Sequence, residues 1–466
     1  MVSFDLKDYR DRKIHMTGIG GPMMSGIAGI LMNKGLKVSG SHFAETRALQ
    51  ELRRLGASVK GTYHEDHIHD QVLIVHGEGV AADNPELVRA RKQAIPLMKH
   101  TELLGGLMEN FSHSTGIAGT HGKTSTVSIL TTIALTAGLD PTVLAGDRIP
   151  PMDSTFRTGS SQIMIVESDE DREAFLSFPP RIAVLLNVEE DHIESFQDLA
   201  AVKDAFGRYA ALIPEDGLII ANADDPEISD VLKNARARIT TFGQEQGDLR
   251  ARNVLYDGKG QAAFDVMDQG EFLFTVQLPL AGSYSVYNAL AAIAAAKALN
   301  VPPDKIREGL LALKGVPRRI QTIGQVNGIT FVDDYGHHPT EIRLTLESLK
   351  NLDHGRLVVA VQPRSYKRLE HFFDDFVPLF DEIDLLILLP VYDREAEEGD
   401  FSSERLGDAI RKRFLVPCFN ALDFVDAANL VLQGAKPGDL VLLTGSNEVS
   451  RIHELIEANW EIVKDR

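Results

Sequence analysis

The segment Gly119-Thr120-His121-Gly122-Lys123-Thr124 holds residue types and a spacing that can grip a phosphate chain. Its two glycines let backbone N–H groups turn toward phosphate oxygens, and a helix opening at its end adds the positive pole of its dipole. Lys123 offers an ammonium to the terminal phosphates, and the Thr124 hydroxyl can ligate Mg²⁺. The flanks have the order this chemistry needs, with a strand expected over Thr115–Ala118 and an apolar-periodic helix over Ser125–Ala137. The loop has two residues between its glycines where the common GxxxxGK[ST] loop has four, which argues against a plain P-loop NTPase or kinase.

A second constellation follows. Glu167 sits just after the apolar run Ile163–Val166, and His192 a few residues after Ala183–Asn187, so both fall at the strand ends where the phosphate loop also lies. A carboxylate and a neutral imidazole are reasonable partners for Mg²⁺ or Mn²⁺. Asp169, Glu170, Glu189 and Asp191 add charge nearby. Earlier in the chain, Gly18-Ile19-Gly20-Gly21 ends the expected strand Lys13–Gly18 and can cradle a diphosphate. It lacks the third glycine of a dinucleotide fingerprint, so a dehydrogenase reading is weak.

The elements that must hold these groups alternate strand and helix, which implies parallel βαβ units. Expected strands at Val38–Ser41 and Val72–Val75 alternate with helices at Met24–Lys34, Ala48–Leu55 and Asn84–Gln93. A strand at Leu218–Ala221 is followed by shorter pieces such as Ala263–Met267 and Phe272–Leu278. The Ala-rich Asn288–Leu299 reads as helix. The pattern then resumes with strands Thr330–Asp333, Leu357–Val361, Leu385–Leu389 and Leu440–Thr444, and helices Thr340–Leu349, Leu369–Phe380 and Ser403–Lys412. The fold class is α/β, with three domains in series. Residues 1–106 read as Rossmann-like, 107–319 as a central P-loop ATPase-like domain, and 320–466 as Rossmann-like. Asp393–Asp400 reads as a solvated acidic loop, and the His64, His67 and His69 cluster as a loop rather than a metal site.

Composition sets outer limits. The 466 residues carry 48 basic and 67 acidic side chains, a formal charge of −19, which argues against nucleic-acid or membrane-surface binding. The single cysteine, Cys418, excludes an intrachain disulfide and a thiolate zinc cluster. Charges interrupt the first residues where a signal peptide needs an apolar run, and no apolar window is long enough to span a membrane, so a cytoplasmic location is expected.

Taken together, IHMTGIGG (14–21), DNPELVRAR (83–91), AGTHGKTSTVS (118–128), GVPRR-Q (315–321) and VDDYGHHPTEI (332–342) resemble the Mur ligase family, ATP-dependent enzymes that form amide bonds. The resemblance is strongest to members that join L-alanine to the carboxylate of UDP-N-acetylmuramate. It implies that Gly119, Thr120, His121, Gly122, Lys123 and Thr124 hold ATP, with Asn288 at the adenine, Arg319 at the phosphates and Asp334 at the ribose. It implies Mg²⁺ (or Mn²⁺) at Thr124, Glu167 and His192. Gly18, Ile19, Gly20 and Gly21 would hold the UDP-sugar, and Tyr335 and Arg364 the incoming substrate. Lys123, His337, His338 and Arg368 would serve the reaction, with His337 or His338 orienting the amino acid or accepting its proton. A monomer or homodimer is expected.

Departures from the family pattern cluster at the substrate ends. Pro22 and Met23 stand in a usual Ser-Gly, His42 in place of an Asp, and Arg364 and Ser365 in place of His-Arg within Gln362–Arg368. Two other readings therefore stay open. One is a related ligase that takes a different amino acid or a recycled tripeptide, and the other a non-catalytic nucleotide-binding regulator on the same fold. Lys203 reads as an ordinary helix lysine, not the carbamylated lysine of other family branches.

Overall fold

The structure, a computed structural model, describes residues 4–393 and 400–464. Residues 394–399 of the expected acidic loop lie outside them. The chain divides into two compact bodies. One holds the chain to Val254 with Phe264–Gln277 and Val286–Lys314; the other holds Leu255–Ala263, Leu278–Ser285 and the chain from Gly315.

In the first body, β1 (Lys13–Thr17), β2 (Lys37–Ser41), β3 (Ser58–Lys60), β4 (Leu73–His76) and β5 (Leu97–Lys99) form a parallel sheet in the order β3-β2-β1-β4-β5. The order reverses at β1, so the crevice beyond its carboxyl end is where such a sheet receives a ligand. The Gly18–Gly21 turn lies there. Pro22 opens the next helix, Pro22–Asn33, where its missing N–H costs nothing.

The second sheet is built from β6 (His113–Ala118), β7 (Thr142–Ile149), β8 (Ser154–Arg157), β9 (Ile163–Glu167), β10 (Ile182–Leu185), β11 (Leu218–Asn222), β12 (Arg238–Gly243), β13 (Leu249–Tyr256), β14 (Gln261–Asp268) and β15 (Glu271–Ala281). Its order is β15-β14-β13-β12-β11-β10-β6-β9-β7-β8. The central strands are parallel and buried along their length, which explains their uninterrupted apolar runs. One hydrophobic core runs through both sheets of this body and includes Ile14, Ile27, Leu144, Val166 and Leu185. The helix Pro22–Asn33 packs on β7 and β8 through its small residues. A Cβ on Gly29 would lie 2.1 Å from the Phe156 ring, so only glycine permits this approach.

The second body is organised around β16 (Gln321–Val326), β17 (Ile329–Asp334), β18 (Leu357–Val361), β19 (Leu385–Leu388), β20 (Cys418–Asn420) and β21 (Leu440–Thr444), in the order β16-β17-β21-β18-β19-β20. All pairs are parallel except β16 with β17. Element types follow the sequence expectation, with ends that move by a few residues; the Ala-rich helix begins at Tyr284. One expectation fails. Leu369–Phe380 is not a continuous helix but the helices Tyr366–His371 and Phe373–Phe376 followed by a 3-10 turn, Val377–Phe380. Phe372 leaves helical geometry at φ −100° and ψ 19°, and Pro378 cannot donate to the preceding turn. Among the described residues, no helix is long and apolar enough to cross a membrane.

Candidate active site

The phosphate loop joins β6 to the helix Lys123–Thr136. Gly122 caps that helix at φ 86°, and a Cβ there would meet Asn288 Oδ1 at 2.5 Å, so the position requires glycine on two grounds. The same contact brings Asn288, buried on the helix Tyr284–Ala298, against the loop. The stretch after β10 pins the loop in place. His121 N donates to Asn187 Oδ1 at 2.8 Å, and Asn187 Nδ2 returns a bond to His121 O at 3.1 Å. Thr120 Oγ1 accepts from Glu189 N at 2.9 Å, and the His121 ring nitrogen Nε2 lies 3.0 Å from Glu189 Oε2.

The candidate side chains converge at the ends of β6 and β9. Thr124 Oγ1 donates to Glu167, whose oxygens lie at 2.9 and 3.0 Å, and Gly146 N donates to the same carboxylate at 2.7 Å. Lys123 Nζ bonds Glu170 at 2.8 and 3.0 Å and Gly119 O at 2.7 Å. His192 Nε2 stands 3.7 Å from Glu170 Oε1, and ligand atoms of Asp169, Glu170 and His192 all lie within 4.8 Å of one another. Lys123, Thr124, Glu167 and His192 are thus brought together. Thr124 and Glu167 form one donor group, while His192 joins Asp169 and Glu170. His192 takes φ 51°, in the left-handed region where histidine is enriched among non-glycine residues.

Burial sets the electrostatics. It raises the Glu167 carboxyl above its ordinary range, with Gly146 N–H and Lys123 opposing. It also disfavours charge on Lys123, but the Glu170 and Asp169 carboxylates outweigh it and raise the ammonium's pKa, so Lys123 stays charged at neutral pH.

The first-body turn is held from β2, with Gly18 N and Ile19 N both donating to Ser41 O, at 2.9 and 3.2 Å. His42 packs its ring against Gly20. Beneath lies a residue to which the sequence reading gave no role. Glu86, with its side chain fully buried, accepts from Thr17 Oγ1 and Ser41 Oγ at 2.7 Å each. Its oxygens also lie 3.2 Å from His15 Nε2 and 2.8 Å from His67 Nδ1. Burial pushes this carboxyl up, yet His15, Ser41 and His67 together bring it down to about 2. His67 is therefore a partner of a buried carboxylate, not part of a purely solvated loop. Lys203 pairs with Glu227 and Asp230 at 2.5 and 2.6 Å.

In the second body, Arg318 and Ile320 adopt φ 59° and 44° on either side of Arg319. Arg318 and Arg319 place their guanidinium carbons 4.8 and 4.9 Å from the Tyr335 ring centre. Asp334 is buried and accepts from Ile320 N and Gly336 N, both at 2.9 Å, and from Thr345 Oγ1 at 3.1 Å. These bonds shape the turn that presents Arg319, Tyr335 and His337. His338 is buried as the N-cap of the helix Pro339–Leu349, with Nδ1 accepting from Thr340 N at 3.2 Å. Arg368 is buried on Tyr366–His371, and Arg364 reaches His337.

Three family models cover the chain in series: the "Mur ligase family, catalytic domain" over residues 13–112, the "Mur ligase middle domain" over 117–296 and the "Mur ligase, glutamate ligase domain" over 318–447. The UDP-N-acetylmuramate--L-alanine ligase of Clostridium tetani is 40% identical over 455 residues, 97% of this chain and 99% of the relative. The chain belongs to the Mur ligase family. It is an ATP-dependent ligase, with the three-part α/β architecture of that family. The similarly named protein of Clostridium perfringens is 38% identical over the same shares. Among solved structures, the UDP-N-acetylmuramate-alanine ligase of Thermotoga maritima matches at TM-score 0.79 and 23% identity, covering 97% of this chain and 99% of that one. The murein peptide ligase of Psychrobacter arcticus matches at TM-score 0.69 and 24% identity, covering 96% and 98%. At these identities the two structures speak to the fold of this Mur ligase.

Glu170 and Asn187 are the residues of the phosphate grip that the sequence reading left without a defined role. Glu170 follows Glu167 within a run of acids, and nothing in that run distinguishes the buried members from the exposed ones. Asn187, in contrast, lies two residues past the buried strand β10, the direct neighbour of β6, and a polar side chain at that strand end is a readable signal.

Proposed function

We propose that this chain joins L-alanine to the carboxylate of UDP-N-acetylmuramate, with ATP cleaved to ADP and phosphate. The observation that carries the reading is the buried grip in which Lys123 meets Glu170 and Thr124 meets Glu167 at the mouth of the phosphate loop. The names of relatives at 38–40% identity over 97% of this chain support the choice of substrates.

In the proposed reaction, a carboxylate oxygen of the nucleotide sugar attacks the γ-phosphorus of ATP, and the bond to the β-phosphate oxygen breaks. The amine then attacks the acyl carbon, releasing phosphate and a proton. Gly119, Thr120, His121 and Gly122 shape the loop that receives the phosphates: Asn187 holds the Thr120 and His121 N–H groups, and the N-terminus of the helix Lys123–Thr136 faces the phosphate chain. Lys123 stays charged and stabilises negative charge that spreads over the transferring group. Asn288, Arg319 and Asp334 position the nucleotide, and Gly18, Ile19, Gly20 and Gly21 the diphosphate of the sugar. Tyr335, Arg364 and Arg368 hold the incoming substrate, and His337 and His338 orient the amine or accept its proton.

Hydroxyl and carboxylate oxygens with one imidazole suit a hard divalent cation, and the buried Glu167 carboxylate, already aimed at Thr124, fits such a donor set. Thr124, Glu167 and His192 would hold Mg²⁺ or Mn²⁺, which when bound neutralises phosphate charge. The reading places the protein in the cytoplasm as a monomer or homodimer, with domains at 1–106, 107–319 and 320–466.

The test is a phosphate-release screen that crosses UDP-N-acetylmuramate and related UDP-sugars with single amino acids and the recycled tripeptide. Stimulation by L-alanine with UDP-N-acetylmuramate is the expected result. Stimulation only by another amine moves the assignment to a sibling ligase, a reading favoured by Arg364 and Ser365. No stimulation by any pair refutes ligation.

A further inference from the structure

The second body carries a pair of side chains whose chemistry is more restrictive than substrate binding requires. Arg364 Nη1 lies 3.2 Å from His337 Nε2, and the other ring nitrogen, Nδ1, lies 3.2 Å from the Tyr335 carbonyl oxygen. A guanidinium has only donors, and a carbonyl oxygen only accepts. One state of the ring satisfies both contacts: hydrogen on Nδ1, lone pair on Nε2. The other neutral tautomer sets N–H against N–H at Arg364 and lone pair against lone pair at Tyr335. The imidazolium keeps the first of these conflicts and adds charge repulsion.

The surrounding charges act on both sides. Glu341 Oε2 is 3.4 Å from Nδ1 and favours a charged ring, but it also accepts the backbone N–H groups of His337 and His338 at 3.1 and 3.3 Å. It faces the nitrogen that carries hydrogen in the neutral state. The Tyr335 ring stands edge-on at 5.4 Å and itself bears Arg318 and Arg319, which add positive charge nearby.

Arg364 is not free to swing away at its backbone. Arg364 and Tyr392 form a parallel bridge, in which Ser365 N donates to Tyr392 O at 3.0 Å and Tyr392 N donates to Pro363 O at 2.9 Å. Ser365 holds φ 48° and ψ 144°, a conformation costly for any residue but glycine, while its hydroxyl accepts from Arg368 N at 3.2 Å. The two departures from the family pattern thus act together: Ser365 caps the next helix through a strained turn, and Arg364 is aimed at His337.

We propose that Arg364 is a positioning residue that fixes His337 as the neutral Nδ1–H tautomer and occupies its basic nitrogen. Of the two roles open to His337, orienting the amine or taking its proton, the pair leaves the first. This assignment of role rests on the ligase reading; the tautomer does not.

The test uses the full chain labelled with ¹⁵N-histidine, without nucleotide or amine. Long-range ¹H–¹⁵N spectra report the ring's protonation, and H337Q identifies its signals by their loss. The expected wild-type ring is Nδ1–H from about pH 6 to 8. R364M is expected to shift the ring toward Nε2–H or the imidazolium, whereas R364K, which keeps a donor, retains more of the Nδ1–H form. A wild-type ring that is Nε2–H or charged at neutral pH overturns the proposal, as does an R364M spectrum identical to wild type. If R364M does not fold, the wild-type and R364K spectra decide. For the role, H337Q is expected to raise KM for the amine with kcat largely kept. A fall in kcat of about 10²-fold or more marks a proton acceptor and overturns it. The expected tautomer in a chain with no amine-dependent ADP release sinks the ligase reading alone.

Discussion

Replacing Glu86 with glutamine tests how the first body holds its glycine turn. The carboxylate is fully buried, and its partners bring it from an ordinary 4.5 to about 2. That difference corresponds to about 3 kcal/mol of stabilisation at neutral pH. The sign follows from the depressed value: the stabilisation is complete above about pH 4.5 and is lost as pH falls toward 2. Linkage places about 2 kcal/mol of the loss already between pH 5 and pH 3. Glutamine keeps the shape, can accept one of the bonds, and does not titrate. The assay is urea denaturation at a series of pH values, read by hydrogen exchange of amides in Lys13–Thr17 and Pro85–Lys92, for wild type and E86Q. The wild-type advantage should shrink by about 2 kcal/mol between pH 5 and 3. Curves that stay parallel over that range refute the reasoning, because the charge on Glu86 would then contribute nothing to folding.

Other outcomes follow from the same geometry. K123A should abolish amine-dependent ADP release while circular dichroism shows an intact fold, since the buried Glu170 can take up a proton once its partner is gone; retained turnover rules out the phosphate grip. E167A should raise the Mg²⁺ requirement or end activity, and an unchanged metal titration counts against the assignment. G29A should destabilise the first body by about 1–3 kcal/mol, because the new methyl meets the Phe156 ring; an unchanged denaturation midpoint shows that the helix yields without cost.

Local order was the most legible part of the chain. The strand, glycine loop and helix around Gly119–Thr124 are contiguous, so their chemistry and placement can be read together. Glu167 and His192 were also within reach, because strand ends in a parallel sheet face one side. Glu86 was not. Its partners His15, Thr17, Ser41 and His67 stand 19 to 71 residues away, and no periodicity announces a carboxylate that folds inward to meet them. The segment Leu369–Phe380 misled for a related reason. Its apolar spacing suits one helix, but Pro378 and the break at Phe372 divide it. The pairing of Arg364 with His337 joins positions 27 apart and becomes visible only once β17 and β18 share a sheet.

The seat of Pro22–Asn33 on β7 and β8 reaches beyond packing. The helix that begins at the first glycine turn is fastened, through Leu144 and Phe156, to the sheet that carries the triphosphate loop. The spacing of the two turns therefore cannot change by a hinge between them; any change has to deform the seat of Gly26 and Gly29 on Leu144 and Phe156.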